Sequence, residues 1–304
     1  MYLAINPVAL DFGVIEIRWY GIILGIAALS GLLIVIQEGK RYEIDSGFFM
    51  DMLLIGAPSA IIAARAYYVI FKWEDFRNNL WDIFKIWNGG IAIYGALIGA
   101  LISSFFYFRA KGYNFWRIAD ICAPGLIVGQ IIGRWGNFVN QEAHGGTVSK
   151  EFLQNTLHLP DFIINQMNIS GIFYHPTFLY ESFWNLIGLL LLFWLRRRPF
   201  LLSGELVMSY FIWYSIGRFF VEGLRTDSLA FDGPTWLIGL MDVLWSPMSL
   251  LFEAGSMDYG NVRVSQLLGV FIFIIAVSII VYRRKYTGNS VRYSDPIISS
   301  KELL

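Results

Sequence analysis

The sequence predicts an all-α integral membrane protein: seven transmembrane helices, N-terminus outside, C-terminus cytoplasmic, and a small outer cap formed by long loops. Three observations carry this expectation. Of the 304 residues, 56% are hydrophobic and 15% charged, whereas ordinary globular domains are about 25% charged. Seven segments hold roughly the 20 mostly apolar residues that a spanning helix needs. Lysine and arginine gather in alternate connections, as orientation by cytoplasmic positive charge requires.

The stretch Met1 to Glu16 lacks a basic region, so the apolar run behind it reads as a retained helix and not a cleaved signal peptide. The spans are expected at Ile17–Ile36, Phe48–Phe71, Gly90–Phe108, Ile118–Phe138, Thr177–Leu195, Gly204–Glu222 and Val264–Tyr282. One set of connections is short and basic, with Lys40 and Arg41, then Arg109, Lys111 and Arg117, then Arg196 to Arg198, and finally Arg283 to Lys285. That side is expected to be cytoplasmic. The opposite loops are longer, and residues 139–176 and 223–263 mix apolar with polar residues, which suits a cap. Residues 1–285 thus read as a single polytopic membrane domain. Residues 286–304, with Ser290, Asp295, Pro296 and Ser299, lose hydrophobic periodicity and are expected to form a mobile cytoplasmic tail.

Several function classes are disfavoured at this stage. Net charge is zero, so no broad basic surface points to nucleic acid. Cys122 stands alone, which rules out an intramolecular disulfide framework and a cysteine zinc cluster. No histidine pair or carboxylate cluster has metal-ligand spacing, and no glycine loop of phosphate-cradling type is present, so no cofactor or metal is expected. In the fourth span Ala123-Pro124-Gly125 predicts a bend, while Gly129, Gly133 and Gly136 allow close approach of another helix or a ligand.

The stretch Gly133 to Gly146 then stands out, because it places a cation, two carboxamides and a carboxylate at the end of an apolar run. An arginine at the bilayer centre costs about 2.5 to 3.5 kcal/mol on insertion scales, so Arg134 should face protein, water or an anion. The other unusual polar residues also lie near outer helix ends: Arg18 and Tyr20, Arg65, Tyr94, His175, Tyr180 and Glu181, and Tyr214, Arg218, Glu222 and Arg225. Arg218, Glu222 and Arg225 are spaced to share one helix face, and Arg134 and Asn137 likewise. Bland readings stand beside these: an intrahelical ion pair for Arg218 and Glu222, snorkelling for Arg65, and a helix start for His175-Pro176. Two guanidinium groups at headgroup depth match phosphate oxygens in a forked geometry and stay charged, so an anionic lipid or another phosphate ester is the indicated ligand.

The pattern Gly133-Arg134-x-Gly136-Asn137-Phe138-x-Asn140-x-Glu142-x-x-Gly145 resembles the signature of the bacterial prolipoprotein diacylglyceryl transferases. Arg18-Trp19-Tyr20-Gly21, Trp87-x-Gly89-Gly90, His175-Pro176-x-x-x-Tyr180-Glu181 and Tyr214-x-x-x-Arg218-Phe219-x-x-Glu222-x-x-Arg225 resemble further motifs of the family in the same order. The resemblance implies an enzyme of the bacterial cytoplasmic membrane. It would transfer the diacylglyceryl group of phosphatidylglycerol to the lipobox cysteine thiol in the signal peptide of a preprolipoprotein, releasing glycerol phosphate. It implies catalytic roles for Arg134 and Arg218 at the lipid phosphate. Substrate binding would fall to Tyr20, Asn137, Asn140, Glu142, Gly145, His175, Tyr214, Glu222 and Arg225. Tyr94 stands where many members of the family carry a histidine held to be the proton acceptor. A tyrosine with an ordinary pKa near 10 is a poor base, so Tyr94 either acts with a shifted pKa or positions the lipid, and His144 and His175 are the remaining candidates. A transporter or lipid flippase is the competing reading, and it predicts polar residues through the membrane depth or at its midplane.

Overall fold

The computed structural model describes residues 5–13, 16–86, 89–255, 260–286, 288 and 291–297. Trp87 of the Trp87-x-Gly89-Gly90 stretch, and residues 287, 289–290 and 298–304 of the expected tail, lie outside them. The chain is mostly helical: α1 Trp19–Lys40, α2 Ser46–Phe71, α3 Trp73–Phe76, α4 Ile93–Lys111, α5 Phe115–Asn140, α6 Asp161–Gln166, α7 Thr177–Leu195, α8 Glu205–Glu222, α9 Thr235–Trp245 and α10 Val264–Lys285. Six of these, α1, α2, α4, α5, α7 and α10, are long and apolar enough to cross a membrane. The seventh expected segment also folds as a helix, α8, but its 18 residues include Glu205, Arg218 and Glu222. Three small antiparallel strand pairs, which the all-α expectation does not contain, join Val8–Asp11 to Glu16–Arg18, Asn168–Ile169 to Ile172–Phe173, and Ala230–Phe231 to Val262–Arg263.

Two compact units divide the chain, with boundaries within α1, within α5 and between Ser294 and Asp295. The larger comprises residues 1–31 and 122–294. In lipid, helices gain little from burying apolar surface against one another, so small residues and interhelical hydrogen bonds decide how they pack. The α7/α8 pair uses both. Trp184 and Trp213 stack with ring centroids 4.2 Å apart. Each indole Nε1–H donates to the backbone carbonyl of the other residue, at 3.0 and 2.9 Å. Gly188 sits under the Trp213 ring and Gly217 under the Trp184 ring, so a methyl at either glycine would strike an indole. Each such bond adds about 0.6 to 2 kcal/mol in a membrane, and the interlock fixes the register between Glu181 and Arg218, which lie within five residues of it. On the other side of α8, Gln266 of α10 donates to the Phe219 carbonyl at 3.0 Å.

The loop after α5 packs around Phe138, Leu153, Ile163, Ile164, Met167 and Phe178. Gln166, at the end of α6, donates to the carbonyls of Phe138 and Val139 and accepts from the Ile5 amide. It thereby gives the Val139 carbonyl, in the last turn of α5, a partner, and adds a second donor to that of Phe138, which also accepts from the Gln141 amide.

The smaller unit comprises residues 32–121 and 295–304. Here α2 and α4 pack through Gly95 and Gly99, where a methyl would meet the Ala63 and Ser59 carbonyls, both at 2.5 Å. Arg65 corrects the snorkelling alternative, because its side chain is buried. Its five N–H donors reach five backbone carbonyls, those of Asp82, Ile83, Lys85, Gly89 and Gly90, at 2.6 to 3.5 Å. The guanidinium also lies over the Phe76 ring.

Part of the expected tail is in contact with the rest of the larger unit. The Ser203 amide donates to the Val291 carbonyl at 2.8 Å, the Tyr293 amide donates to the Leu201 carbonyl at 2.9 Å, and the Tyr293 side chain is buried. An aromatic ring that can be buried, together with backbone pairing at Leu202 and Arg292, holds this stretch.

Candidate functional site

Helix α5 delivers Arg134 and Asn137 and then stops in a way the sequence dictates only partly. Gln141 takes a left-handed conformation at φ 53°. The Gln141 amide donates to Phe138 and the Glu142 amide to Asn137, at 3.2 and 3.0 Å. This is the Schellman termination, which glycine most often makes. It folds Glu142 back over the helix end, where Asn137 Nδ2 donates to Glu142 Oε1 at 2.8 Å. Asn140 is the last helical residue and is part-exposed.

Three chain segments meet just beyond. The Gly145 amide donates to the His175 carbonyl, the His175 amide donates to Gly146, and the Gly146 amide donates to Leu224, each at 3.0 Å. Gly145 pairs with Arg225 as an antiparallel bridge. A methyl on Gly145 would come within 2.7 Å of His175 Cβ, so the junction of α5, α7 and α8 requires the glycine. Pro176 precedes the first residue of α7, as the helix-start reading expects. His175 is buried among Phe152, Phe252 and Tyr180 and meets the Tyr180 hydroxyl through Nδ1 at 3.1 Å. Burial pushes its imidazole pKa down, only partly opposed by Glu253, which favours a neutral ring.

The charged residues of α5, α7 and α8 form an alternating ladder. Arg134 Nε pairs with Glu181 Oε2. Glu181 Oε1 lies 3.3 Å from Arg218 Nη1. Glu222 Oε2 lies 2.6 Å from Arg218 Nη2, an ion pair whose approach is poorly aligned for a hydrogen bond. Arg225 continues to Glu222 at 3.8 Å and forms a bidentate pair with Asp227, 2.9 Å for each bond. Arg218 Nη2 also donates to Ser265 of α10 at 3.4 Å. Glu181 is 6% exposed and Glu222 1%, and carboxylates that deep stay folded only when opposite charges compensate their lost hydration. Burial works against the Arg225 charge, but the Asp227 hydrogen bond and Glu222 more than offset it and raise its pKa. For Asp227, burial acts upward, yet the bond from Arg225 and the charges of Arg225 and His144 bring its pKa below the usual carboxylate value. Arg263, at the foot of α10, is buried and donates to the Gly255 and Arg225 carbonyls at 2.5 and 3.4 Å. Burial lowers its pKa, against the charges of Glu222 and Asp242.

The structure therefore brings together Arg134, Arg218, Glu222 and Arg225, with Asn137 and Glu142 at one end and Gly145 and His175 at the joint. Tyr20 packs its ring on Gly136, where a methyl would come within 2.7 Å of it. Tyr214 is outside the ladder's bonds and stacks on Tyr210, which bonds Gln130 at 2.7 Å. Tyr94 belongs to the smaller unit, in the first turn of α4, and is 39% exposed. Glu181 and Asp227 were not among the site residues expected from sequence. Glu181 stands out in the sequence by its charge at the start of an apolar span and in the His175-Pro176-x-x-x-Tyr180-Glu181 stretch, but with no role assigned to it; Asp227 had only its place two residues after Arg225. Among the described residues, no group of three or more His, Cys, Asp and Glu could hold a metal ion.

Fold and site together define a multi-pass membrane protein with a built-in charged centre at the ends of its helices. The chain belongs to the prolipoprotein diacylglyceryl transferase family, whose model matches residues 7–282. It is 47% identical over 280 residues to the phosphatidylglycerol–prolipoprotein diacylglyceryl transferase of Listeria welshimeri, covering 92% of this chain and 90% of that protein. It is 46% identical over 291 residues to the protein of the same name from Geobacillus kaustophilus, covering 96% and 97%. The Bacillus licheniformis protein, again of that name, is 46% identical over 288 residues, covering 95% and 96%.

Proposed function

We infer that this chain transfers the diacylglyceryl group of phosphatidylglycerol to a cysteine thiol of a prolipoprotein. A carbon–sulfur bond forms, the glycerol carbon–oxygen bond to phosphate breaks, and glycerol phosphate leaves. Family membership over nearly the whole chain supports the reaction, and the observation that carries the mechanism is the ladder Arg134–Glu181–Arg218–Glu222. Arg134 meets Glu181 through Nε, the inner nitrogen of its guanidinium, so its outer Nη edge serves the lipid phosphate. Arg218 serves the same phosphate and stabilises the charge that grows on it as the bond breaks, the kind of fixed electrostatic term that dominates many enzymes.

Glu181 and Glu222 hold the two guanidinium groups in place. Asn137, Asn140 and Glu142 take the glycerol hydroxyls, with Gly145, His175 and Arg225 shaping the wall behind them. Tyr20 and Tyr214 supply hydroxyl contacts. In the membrane, α8 is the seventh span, made insertable by its internal pairing. The N-terminus faces outward, the C-terminus lies in the cytoplasm, and residues 139–176 and 223–263 cap the outer face of a bacterial inner membrane. The acceptor is the lipobox cysteine of a signal peptide. A transporter would need its polar groups at the midplane, whereas this ladder is built at helix ends.

The test uses purified protein in phosphatidylglycerol vesicles with a radiolabelled headgroup and acyl chains and a lipobox peptide. Thioether-linked diacylglyceryl peptide and labelled glycerol phosphate are expected in equal amounts. Their absence from folded protein would refute the reading.

A further inference from the structure

Transfer to a thiol needs a proton acceptor, because the thiolate is the nucleophile and a free thiol has a pKa of about 8.5. The carboxylates of the ladder are already engaged by guanidinium groups, and Glu142 accepts from Asn137. Of the chain's three histidines, His175 is buried with Nδ1 on the Tyr180 hydroxyl. His158 is tied to the Thr156 carbonyl at the end of a short helical turn, Phe152–Thr156.

His144 is placed differently. It lies two residues after Glu142 and immediately before Gly145, which pairs with Arg225, so it sits where the α5 end and the α8 end of the charged centre meet. Its Nδ1 is 3.1 Å from the Gly145 carbonyl. A carbonyl only accepts, so Nδ1 carries the hydrogen and Nε2 keeps its lone pair. The ring rests on Tyr174, centroids 4.2 Å apart, which fixes its plane, and it is part-exposed. Asp227 is near enough to feel its charge, Arg225 is bridged to the adjacent Gly145, and Glu142 precedes it by two residues.

We propose that His144 is the proton acceptor of the transfer, taking the acceptor thiol's proton on Nε2 while Gly145 holds the Nδ1 tautomer and Asp227 steadies the imidazolium. The sulfur then attacks the glycerol carbon, the electron pair of the broken carbon–oxygen bond stays with the phosphate, and the proton on Nε2 is released to solvent. The proposal rests on the transferase reading above.

The experiment measures kcat/KM against pH in phosphatidylglycerol vesicles for the unmodified protein, His144→Gln and His144→Asn. Product formation by the unmodified protein tests the transferase reading separately. Its kcat/KM should rise with pH between about pH 5.5 and 7.5, as general-base catalysis requires, and a flat profile across that interval overturns the proposal without any variant. Both variants should lose about 10²-fold or more at pH 7, as general-base removal does, and should recover toward pH 9.5 as the thiol ionises unaided. The carboxamide introduced by His144→Asn keeps a donor for the Gly145 carbonyl, so a merely structural role predicts rescue by that variant. Rescue at pH 7, or folded variants that gain nothing at high pH, sinks the assignment.

Discussion

Arg65 and Arg134 are both arginines within helices of a membrane protein, and the chain accommodates them in opposite ways. Arg65 spends all five donors on backbone carbonyls of a single loop. Arg134 meets a carboxylate through one nitrogen. The first arrangement saturates the guanidinium and ties the carbonyls of Asp82, Ile83, Lys85, Gly89 and Gly90 to α2, so it is a clamp with nothing left to offer a ligand. The second neutralises the charge while leaving donors for a phosphate. On the proposed reading of Arg134 as a phosphate-binding residue, what separates these two arginines is the number of donors left over, and not burial.

The comparison breaks most visibly at Arg65. Arg65→Met takes the side-chain donor from five carbonyls; Asp82 keeps the Lys85 amide and Gly89 is exposed, and at about 1 to 3 kcal/mol for each of the other three left dry the loss of stability should reach about 3 kcal/mol. A thermal melt in detergent should show it as a large drop or as failure to accumulate folded protein. Arg134→Lys should do the reverse. Lysine keeps the charge but loses the fork, so transfer should fall by about 10²-fold, in line with the loss of one preorganised donor, while the melting temperature moves far less than for Arg65→Met. Equal melting losses in the two variants would erase the distinction.

A smaller effect is expected at Asp227, whose side chain is 48% exposed. Asp227→Asn should cost about 0.5 kcal/mol, as half-exposed pairs do. Because the folded pKa of Asp227 lies below its unfolded value, this contribution is present above about pH 4 and is lost as pH falls through the folded value. A stability difference between the parent and Asp227→Asn that persists in strong acid would contradict that sign. The smallest effect belongs to Cys122→Ser, since the nucleophile comes from the substrate; activity should stay within about twofold, as for a packed thiol without a chemical role.

Periodicity made the helices legible, and the spacing of Arg218, Glu222 and Arg225 already placed them on one face, because neighbours along one helix follow from 3.6 residues per turn. Partners across helices did not follow. Glu181 sits at the centre of the ladder only because the α7/α8 register sets it opposite Arg218, and that register comes from two tryptophans and two glycines that read in sequence as ordinary apolar positions. Arg65 was ambiguous for the same reason, since its carbonyl partners lie 17 to 25 residues away in a short 3-10 helix, Leu80–Phe84, and the stretch after it. The segment Val291 to Ser294 read as tail because four residues are too few to show a period, although one buried ring and two backbone bonds suffice to hold them.

The reciprocal arrangement of Trp184 over Gly217 and Trp213 over Gly188 also constrains how this protein can change. A larger residue at either glycine evicts an indole, and a smaller residue at either tryptophan opens a void and loses one of the two indole–carbonyl bonds. Single changes at these four positions should be rejected, while coordinated exchanges, such as a bulkier residue at Gly188 accompanied by a trimmed one at Trp213, should survive. A combinatorial library at the four sites would then return its viable members as matched couples, with transmission of the change to Glu181 and Arg218 visible as altered turnover.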